Sequence, residues 1–521
     1  MRITNKMMTN NMLHNININK NNMTTLENKY ASGLEIQKPS DDPIIAVRAL
    51  KLRTNLSELN QYYKKNIPDA KSWMESTESA LRNTSEIITK IHTYCVQGAN
   101  DPLTEAERKS IVDNLVELKN QIYQEGNSNY AGRYLFTGYK TSTSLVFENG
   151  EKNIEYSITE KFTPSDIEIS DRIVDSLDVN SIDADSLDTF EIEDRPTSAT
   201  IYRIRLAYDN LKKTEDGASI SIKIPELDEE GNPVPDPGEE GAYLYEEELT
   251  ESDMVIMNSK DPKAYKFEEG EENEIHFLED TGEIIFGPER YNDWREKNFE
   301  ITYEKNEFEK NELRPEHYFD CTAYDLTLPE DQREAKKIEY TVEDQQIAYE
   351  INFNQRLAIN VQAKDAFRHA IGRTVDDMLI AIEDVNTVKD KIARIEKMLD
   401  DTSLDETKTT KLKEIKGVLE TELALKDSLM REAFGRGLTS IINEENVVNS
   451  ATSDIGTRYN RIELTEDRLN TQQVEFTDLL SQNEDADLVD TIVNYNAANT
   501  VYNASLQAAG KVVKNTLLDF L

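Results

Sequence analysis

The chain has 521 residues and a formal net charge of −42, with 59 Lys and Arg against 101 Asp and Glu. One hydrophobic core rarely serves a chain of this length, so the sequence predicts two or three domains. The negative charge would repel nucleic-acid phosphates and an anionic membrane surface, which excludes both as partners. No apolar run reaches the roughly 20 residues that cross a bilayer.

The first 20 residues, MRITNKMMTNNMLHNININK, are interrupted by asparagine throughout. They lack the continuous apolar core and the small-residue cleavage site of a signal peptide, so we expect no conventional cleaved secretion. The two cysteines, Cys95 and Cys321, are far apart, which predicts neither a disulfide framework nor a CxxC metal pair. We therefore expect packing alone to hold the structure.

The stretch KYASGLEIQKPSDDPIIAVRALKLR separates this leader from a long predicted helix. Gly33 and Pro39 interrupt the leader. The residues that follow offer an N-cap, negative charge at the positive end of the helix dipole, and a proline suited to the first helical turn. This helix-start motif consists of Ser40, Asp41, Asp42 and Pro43.

Beyond Pro43, steps of four and three residues trace a heptad seam, with Pro68 expected to kink or loosen the helix. The seam residues are Leu52, Leu56, Leu59, Tyr63, Asn66, Ala70, Trp73, Thr77, Ala80, Thr84, Ile87, Ile91 and Tyr94. Thr104 and Glu107 have capping-box spacing and announce a second helix, which is expected to run antiparallel to the first. Its apolar stripe is Ile111, Leu115, Leu118 and Ile122.

From about residue 145 to 350 the sequence consists of short stretches in which apolar and polar residues alternate, such as SISIKI, EIIFG, FEITYE and IEYTV. Clusters of Gly, Pro and Asp separate them, which predicts a β-rich insert. The insert holds many of the acidic residues of the chain, as is typical of a solvated domain.

After the insert the helical period returns and continues to the end of the chain. One seam comprises Val448, Ala451, Ile455, Arg458, Ile462, Thr465, Leu469, Gln472, Phe476 and Leu479. A second follows the break at SQNEDAD and comprises Leu488, Ile492, Tyr495, Asn499, Tyr502, Leu506, Ala509, Val513, Thr516 and Phe520. Terminal seams without mates nearby in sequence are expected to pair with each other.

These patterns predict a mainly α fold, in which the N- and C-terminal segments form a long antiparallel coiled-coil helical bundle with a central β domain inserted between them. Three parts are expected. Residues 1–43 and 483–521 form terminal helical assembly segments, residues 44–144 and 351–482 form the bundle, and residues 145–350 form the acidic β-rich insert.

The cluster RPEHYFDCT places His317, Asp320 and Cys321 close together, as a thiol hydrolase site would. Such sites are normally assembled from residues distant in sequence, so we interpret the cluster as part of a strand or turn. The remaining histidines are isolated, and no nucleotide-binding glycine pattern occurs. The sequence therefore predicts no catalytic, metal or cofactor site.

Several stretches of the chain resemble the flagellin-like axial proteins of bacterial flagella. They are MRITNKMM, ASGLEIQKPSDDPIIAVRALKLR and NYAGRYLFTGYKT near the start, and NSATSDIGTRYNRIELTEDRL and EDADLVDTIVNYNAANTVYNASLQAAGKVVKNTLLDFL near the end. The resemblance covers roughly the first 140 and the last 80 residues. Within the family, Pro43 after the acid pair is similar to the hook–filament junction members rather than to the filament subunits, whereas the long acidic middle departs from the compact members.

The resemblance implies a non-enzymatic structural protein, exported unfolded through the flagellar type III apparatus without cleavage. It would form an adapter ring of identical copies, with a hook-associated protein on the hook side, and a hook-associated protein or flagellin on the filament side. A cytoplasmic export chaperone is expected as well.

The leader and residues 483–521 are expected to order on assembly, burying apolar side chains against neighbouring copies. These predicted assembly residues are Leu488, Ile492, Tyr495, Tyr502, Leu506, Val513, Leu517, Leu518 and Phe520. The alternatives are a flagellin that forms the filament itself and, more distantly, a secreted coiled-coil adhesin with the insert as its binding head. An enzyme in the insert would require a pocket around residues 317–321.

Overall fold

The computed structural model describes residues 5–100, 103–179, 182, 187, 190, 192, 195–212, 220–228, 234–235, 243–400 and 405–514. The chain divides into two compact units. Unit 1 comprises Met1–Lys71, Tyr349–Leu357 and Tyr459–Leu521, and unit 2 comprises Ser72–Ala348 and Ala358–Arg458. The three predicted parts follow other boundaries, and their limits stay predictions.

Helices occupy both ends of the chain, as predicted. The described ones are α1 Asn5–Ser32, α2 Pro43–Gln61, α3 Ile67–Ala99, α4 Glu105–Gly126, α5 Pro288–Trp294, α6 Glu330–Arg333, α7 His369–Leu399, α8 Glu406–Glu484 and α9 Leu488–Lys514. Within the described ranges, no helix combines the length and the hydropathy that crossing a membrane requires.

A π-helical turn, Tyr62–Asn66, joins α2 to α3. The Ile67 N–H donates to the Tyr62 carbonyl, and the next residue, Pro68, has no N–H to donate. The wider turn is the local loosening that the sequence predicts near this proline.

The predicted N-terminal seam is mostly buried, because α2 and α3 run antiparallel to the second half of α8. In unit 1, the Gln473 amide donates to Asn60 at 3.0 Å, and in unit 2 the Ser85 hydroxyl donates to Asn449 at 3.2 Å. The buried seam residues are Leu59, Ala70, Trp73, Thr77, Ala80, Thr84, Ile87 and Ile91. The half-buried ones are Leu52, Leu56, Tyr63, Asn66 and Tyr94.

The seam along α8 is buried over most of its length, at Val448, Ala451, Ile455, Ile462, Thr465 and Leu469. Arg458, Gln472 and Phe476 are half-buried. Leu479 is exposed, so its prediction as a buried seam residue is wrong. Leu479 instead lines an open groove beside Arg48 and Lys51 of α2.

Strands fill the central part of the chain. They are β1 Asn129–Tyr130, β2 Arg133–Tyr134, β3 Ile154–Phe162, β4 Glu168–Val174, β5 Thr197–Arg205, β6 Ile220–Pro225, β7 Tyr245–Thr250, β8 Val255–Met257, β9 Ile275–Leu278, β10 Glu283–Phe286, β11 Phe299–Lys305, β12 Asp320–Asp325, β13 Ile338–Tyr340, β14 Ala348–Asn352 and β15 Gln355–Ala358. The larger sheets have the orders β13-β12-β3-β11-β6-β7 and β4-β5-β10-β9-β8, and β8 and β9 pair in parallel.

The two larger sheets share one hydrophobic core within unit 2. Ile158 and Ile301 from the first sheet and Phe277 and Ile284 from the second are fully buried in it. Alternation along β11 places every second residue in this core, which is the pattern predicted for FEITYE. The predicted fold class, helical at both ends with a β-rich middle, is confirmed.

Candidate assembly surface

The functional candidate lies in unit 1, where the two ends of the chain meet. Gly33 ends α1 with a positive φ of +72°, and its N–H donates to the Lys29 carbonyl at 2.8 Å. A glycine adopts this left-handed conformation without the strain that a Cβ would bring. The sequence prediction that Gly33 interrupts the leader is confirmed.

Beyond Gly33 the chain forms a short antiparallel bridge with the segment that follows α8. The Glu35 N–H donates to the Glu484 carbonyl at 2.6 Å, and the Ala486 N–H donates to the Gly33 carbonyl at 2.8 Å. Arg53 of α2 pairs with the largely buried Glu484 carboxylate at 2.6 Å. These contacts fix the breaks α1–α2 and α8–α9 at the same level of unit 1.

The helix-start motif works through its two aspartates. Asp42 is the N-cap of α2, and one of its carboxylate oxygens accepts from the Ile44 N–H at 2.9 Å and from the Ile45 N–H at 3.2 Å. Pro43 occupies the first turn of α2, as predicted. Asp41 instead accepts from the Gln37 and Lys38 N–H groups and closes the preceding turn.

Helix α9 has a cap that the sequence analysis missed. The Asp487 carboxylate accepts from the Val489 N–H at 2.9 Å and from the Asp490 N–H at 3.1 Å. The signal was present in the sequence, because an aspartate directly before the apolar run LVDTIV is a preferred N-cap.

Helices α1 and α9 pack against each other antiparallel and form what we call the terminal pair. Asn19 donates to the Ser505 hydroxyl across the seam at 2.9 Å. The seam on α1 is Thr9, Met12, Ile16, Asn19, Met23 and Leu26, and the seam on α9 is Thr491, Tyr495, Ala498, Tyr502, Ser505 and Ala509. Among the described side chains of the pair, Thr491 is buried and the others are half-buried or exposed.

The exterior of the terminal pair carries large apolar side chains. They are Met7, Met8, Leu13, Ile18 and Tyr30 on α1, and Leu488, Val489, Ile492, Val493, Val501 and Leu506 on α9. Two helices alone leave such side chains in water, and contiguous exposed apolar surface marks an interaction site.

The predicted assembly residues fall in three groups. Leu488, Ile492 and Leu506 are exposed on the exterior of the pair. Tyr495 and Tyr502 are half-buried in its seam. The side chain of Val513 and the whole of Leu517, Leu518 and Phe520 lie outside the described residues.

Helix α2 carries a second exposed apolar face that the sequence analysis missed. Its small residues Ala46 and Ala49 point inward and are buried, whereas Ile44, Val47 and Leu50 are 60 to 68% exposed. The signal was the run PIIAVRAL, in which apolar residues occupy more of the helix than one seam can use. We call Ile44, Val47 and Leu50, with the adjacent Arg48 and Lys51, the α2 face.

The 317–321 cluster is arranged for packing. His317 Nε2 lies 3.1 Å from the Ser144 carbonyl, and Asp320 accepts from the Val342 N–H at 2.8 Å. Burial raises the pKa of the Cys321 thiol well above its usual value, so the thiolate is suppressed. Within the described part of the chain, no group of three or more His, Cys, Asp and Glu residues could hold a metal ion.

Both ends of the chain match helical regions of bacterial flagellins. The flagellin N-terminal helical region matches residues 3–141, and the flagellin C-terminal helical region matches residues 438–521. These two regions contain the terminal pair, α2 and the breaks between them. The chain is thus flagellin-like at both ends, as the sequence resemblance predicted.

Two relatives show how far the likeness extends. Flagellin of Clostridium tyrobutyricum is 34% identical over 128 residues, which are 25% of this chain and 34% of that protein. Flagellar hook-associated protein 3 of Salmonella typhimurium is 27% identical over 166 residues, which are 30% of this chain and 52% of that protein. The chain therefore spans between a third and about half the length of these curated relatives.

A solved structure of flagellar hook-associated protein 3 from Legionella pneumophila aligns with 83% of this chain and 98% of its own, at 11% identity. The TM-score is 0.30, too low to carry weight for fold or function.

Proposed function

We propose that the chain is a structural subunit of the bacterial flagellum, an adapter ring subunit that joins the hook to the flagellin filament. The observation that carries the proposal is the terminal pair with its apolar exterior, built from the two regions similar to flagellins. A solitary subunit would hold this surface in water, whereas a polymer of subunits buries it. The similarity to hook-associated protein 3 supports the junction role in particular.

Its partners would be copies of itself, a hook-associated protein on the hook side, and a hook-associated protein or flagellin on the filament side. Contacts between like subunits would be heterologous, and such contacts close into a ring or extend into a helix. The role is mechanical and needs no catalysis. The buried Cys321 and the backbone-bonded His317 support this part of the proposal, because neither is available for nucleophilic chemistry.

Its location would be extracellular, in the flagellum, after export as an unfolded chain without cleavage. Both cysteines are free and buried, so no disulfide among the described residues has to form outside the cell. The terminal pair would order fully on assembly, and a cytoplasmic chaperone would cover the C-terminal segment before export.

Electron microscopy of cells that lack the chain, with a blot of the culture medium for flagellin, tests the proposal. Bare hooks and flagellin lost to the medium are expected. Full filaments on normal hooks would reject the junction role.

A flagellin that forms the filament itself is the second candidate, favoured by the 34% identity to the Clostridium flagellin. Loss of this chain would then remove the filament without releasing another flagellin to the medium. The purified protein would also polymerise alone into long fibres.

A further inference from the structure

Unit 1 has an unusual distribution of charge. Residues 1–71 carry 11 Lys and Arg against 6 Asp and Glu, whereas residues 459–521 carry 4 against 10. The two segments therefore have opposite net charges within one compact unit. Unit 2 carries 43 Lys and Arg against 84 Asp and Glu, so the acidity of the chain resides there. Unit 1 is the part of the chain whose surfaces can attract a second copy electrostatically.

One basic surface of unit 1 is the α2 face. Arg48 and Lys51 are exposed beside Val47 and Leu50, and within the described residues neither forms an ion pair. Both also line an open groove, together with Leu479 of α8. The surface is thus an apolar row with two free cations along one side.

One acidic surface of unit 1 is the beginning of α9. Val489 is 73% exposed and Val493, one turn later, is 61% exposed. Asp490 lies next to Val489 and three residues before Val493, so the three side chains share one helical face. The Asp490 side chain is exposed, and it forms no ion pair in the described part of the chain. We call Val489, Asp490 and Val493 the α9 face.

We propose that the α2 face of one copy docks on the α9 face of a second copy. The inference rests on the proposed function and names the contact that assembly uses. Apolar side chains meet apolar side chains, and Asp490 meets Arg48 or Lys51. The contact is available only between molecules, since both faces are exposed within one chain. Two different faces make the contact heterologous, so each added copy presents a free face to the next.

Disulfide trapping tests the contact directly. Two full-length chains with different tags, one carrying Val47→Cys and the other Val493→Cys, are co-expressed in cells that lack the natural chain. The flagella are purified and oxidised. The native cysteines do not interfere, because Cys95 and Cys321 are buried. We expect a dimer that carries both tags.

Val474→Cys is the matched control for Val493→Cys. Val474 is also a valine of unit 1, and at 65% it is about as exposed, but it lies on α8. Mixed with Val47→Cys, it is expected to give less than a tenth of the dimer. Equal yields from both mixtures, or no dimer from chains that do reach the hook tip, would overturn the proposal.

Charge exchange provides the second test. Arg48→Glu and Asp490→Arg, each alone, are expected to lower incorporation about fivefold, the effect of losing one exposed ion pair in each contact. The two changes together should restore incorporation, since the pair is present with its charges exchanged. Single variants that incorporate normally would overturn the contact and leave the junction role intact. If the natural chain itself never reaches the hook tip, the proposed function fails instead.

Discussion

At the scale of single residues, the buried His317 is expected to make unit 2 sensitive to acid. Burial lowers the pKa of His317 to about 4, and the neighbouring Glu316 carboxylate offsets only part of this effect. In the unfolded chain the pKa is near 6.5, so the unfolded state binds the proton first as the pH falls. The stability that depends on neutral His317 is complete above pH 6.5 and is lost as the pH falls toward 4.

Replacement of His317 by Gln is therefore expected to reduce acid sensitivity. The free energy of unfolding of the natural chain should fall between pH 8 and pH 5 by roughly 2 kcal/mol more than that of H317Q. Denaturant unfolding at both pH values measures this difference. At pH 8 His317 is neutral in both the folded and the unfolded chain, so the difference in the free energy of unfolding between the two chains at this pH gives the packing cost of the substitution. Equal slopes for the two chains would show that His317 binds no additional proton on unfolding.

A buried charge network in unit 2 connects β5 and β10 to helix α7. Arg203 lies 2.7 Å from Asp377 and 2.7 Å from Glu168, and it also pairs with Glu283. Burial alone would raise the pKa of Glu283, but the guanidinium groups of Arg203 and Arg172 lower it to about 2. Its contribution to stability is present above pH 4.5 and is lost as the pH falls through 2.

Two Glu→Gln substitutions on this network should differ sharply in cost. The Glu283 side chain is 1% exposed, and E283Q takes a carboxylate away from both Arg203 and the largely buried Arg172, so we expect a loss of about 3 to 5 kcal/mol. The Glu168 side chain is 54% exposed and pairs with the same arginine, so E168Q should cost less than about 1 kcal/mol. Thermal unfolding at pH 7 measures both. Similar costs would contradict the role assigned to burial.

At the scale of elements, the caps were predictable because they use adjacent residues. Asp42 caps α2 with a single carboxylate oxygen that serves two N–H groups. D42A is expected to destabilise the first turn of α2 by about 1 kcal/mol, whereas D42N should be nearly neutral because Asn is an equally good N-cap. Hydrogen exchange of the amides of residues 44–50 measures both. Equal protection in D42A and in the natural chain would show that the Asp42 cap does not stabilise this turn.

In α3, the periodicity of apolar residues predicts one row of buried residues and misses another. The four-three count found the row from Ala70 to Ile91 because apolar residues recur there with the helical period. A second buried row exists at intervals of seven residues, and one seam count does not include it. Its members are Ile67, Met74, Leu81, Ile88 and Cys95. Helix α3 is therefore buried on two sides, whereas a helix of a two-stranded coiled coil is buried on one. The difference comes from the segments that pack against α3, and its own sequence does not identify them.

The strands show the same division between local and distant information. Alternation predicted strands at β6, β10, β11 and β13. The order β13-β12-β3-β11-β6-β7 pairs β3 with strands more than 130 residues later, and such pairing leaves no periodic trace in the sequence. In the terminal pair, periodicity selected Tyr495 and Tyr502 of the seam with α1, but it did not select Thr491, Ala498 and Ser505, which the seam also uses.

At the scale of the whole molecule, the proposed function depends on different properties of the two units. Unit 1 is nearly neutral, with 16 Lys and Arg against 17 Asp and Glu, and it presents the apolar faces of α1, α2 and α9. Unit 2 carries almost the whole negative charge and a core shared by two sheets. Like charges repel, so unit 2 of one copy disfavours contact with unit 2 of another, and the proposed self-association would be directed to unit 1.

Removal of the last 30 residues separates assembly from folding. The deletion takes away α9 from Ile492 onward, including Tyr495, Tyr502 and Ser505 of the seam with α1.

Both tryptophans of the chain, Trp73 and Trp294, are buried in unit 2, so tryptophan fluorescence reports unit 2 alone. We expect the thermal midpoint by tryptophan fluorescence to stay within a few degrees of that of the full chain. Incorporation into flagella, measured by a blot of purified hooks, should fall below detection. A truncated chain that still joins hook to filament would refute the assembly role of α9, and a lost fluorescence transition would mean that unit 2 depends on the terminal pair to fold.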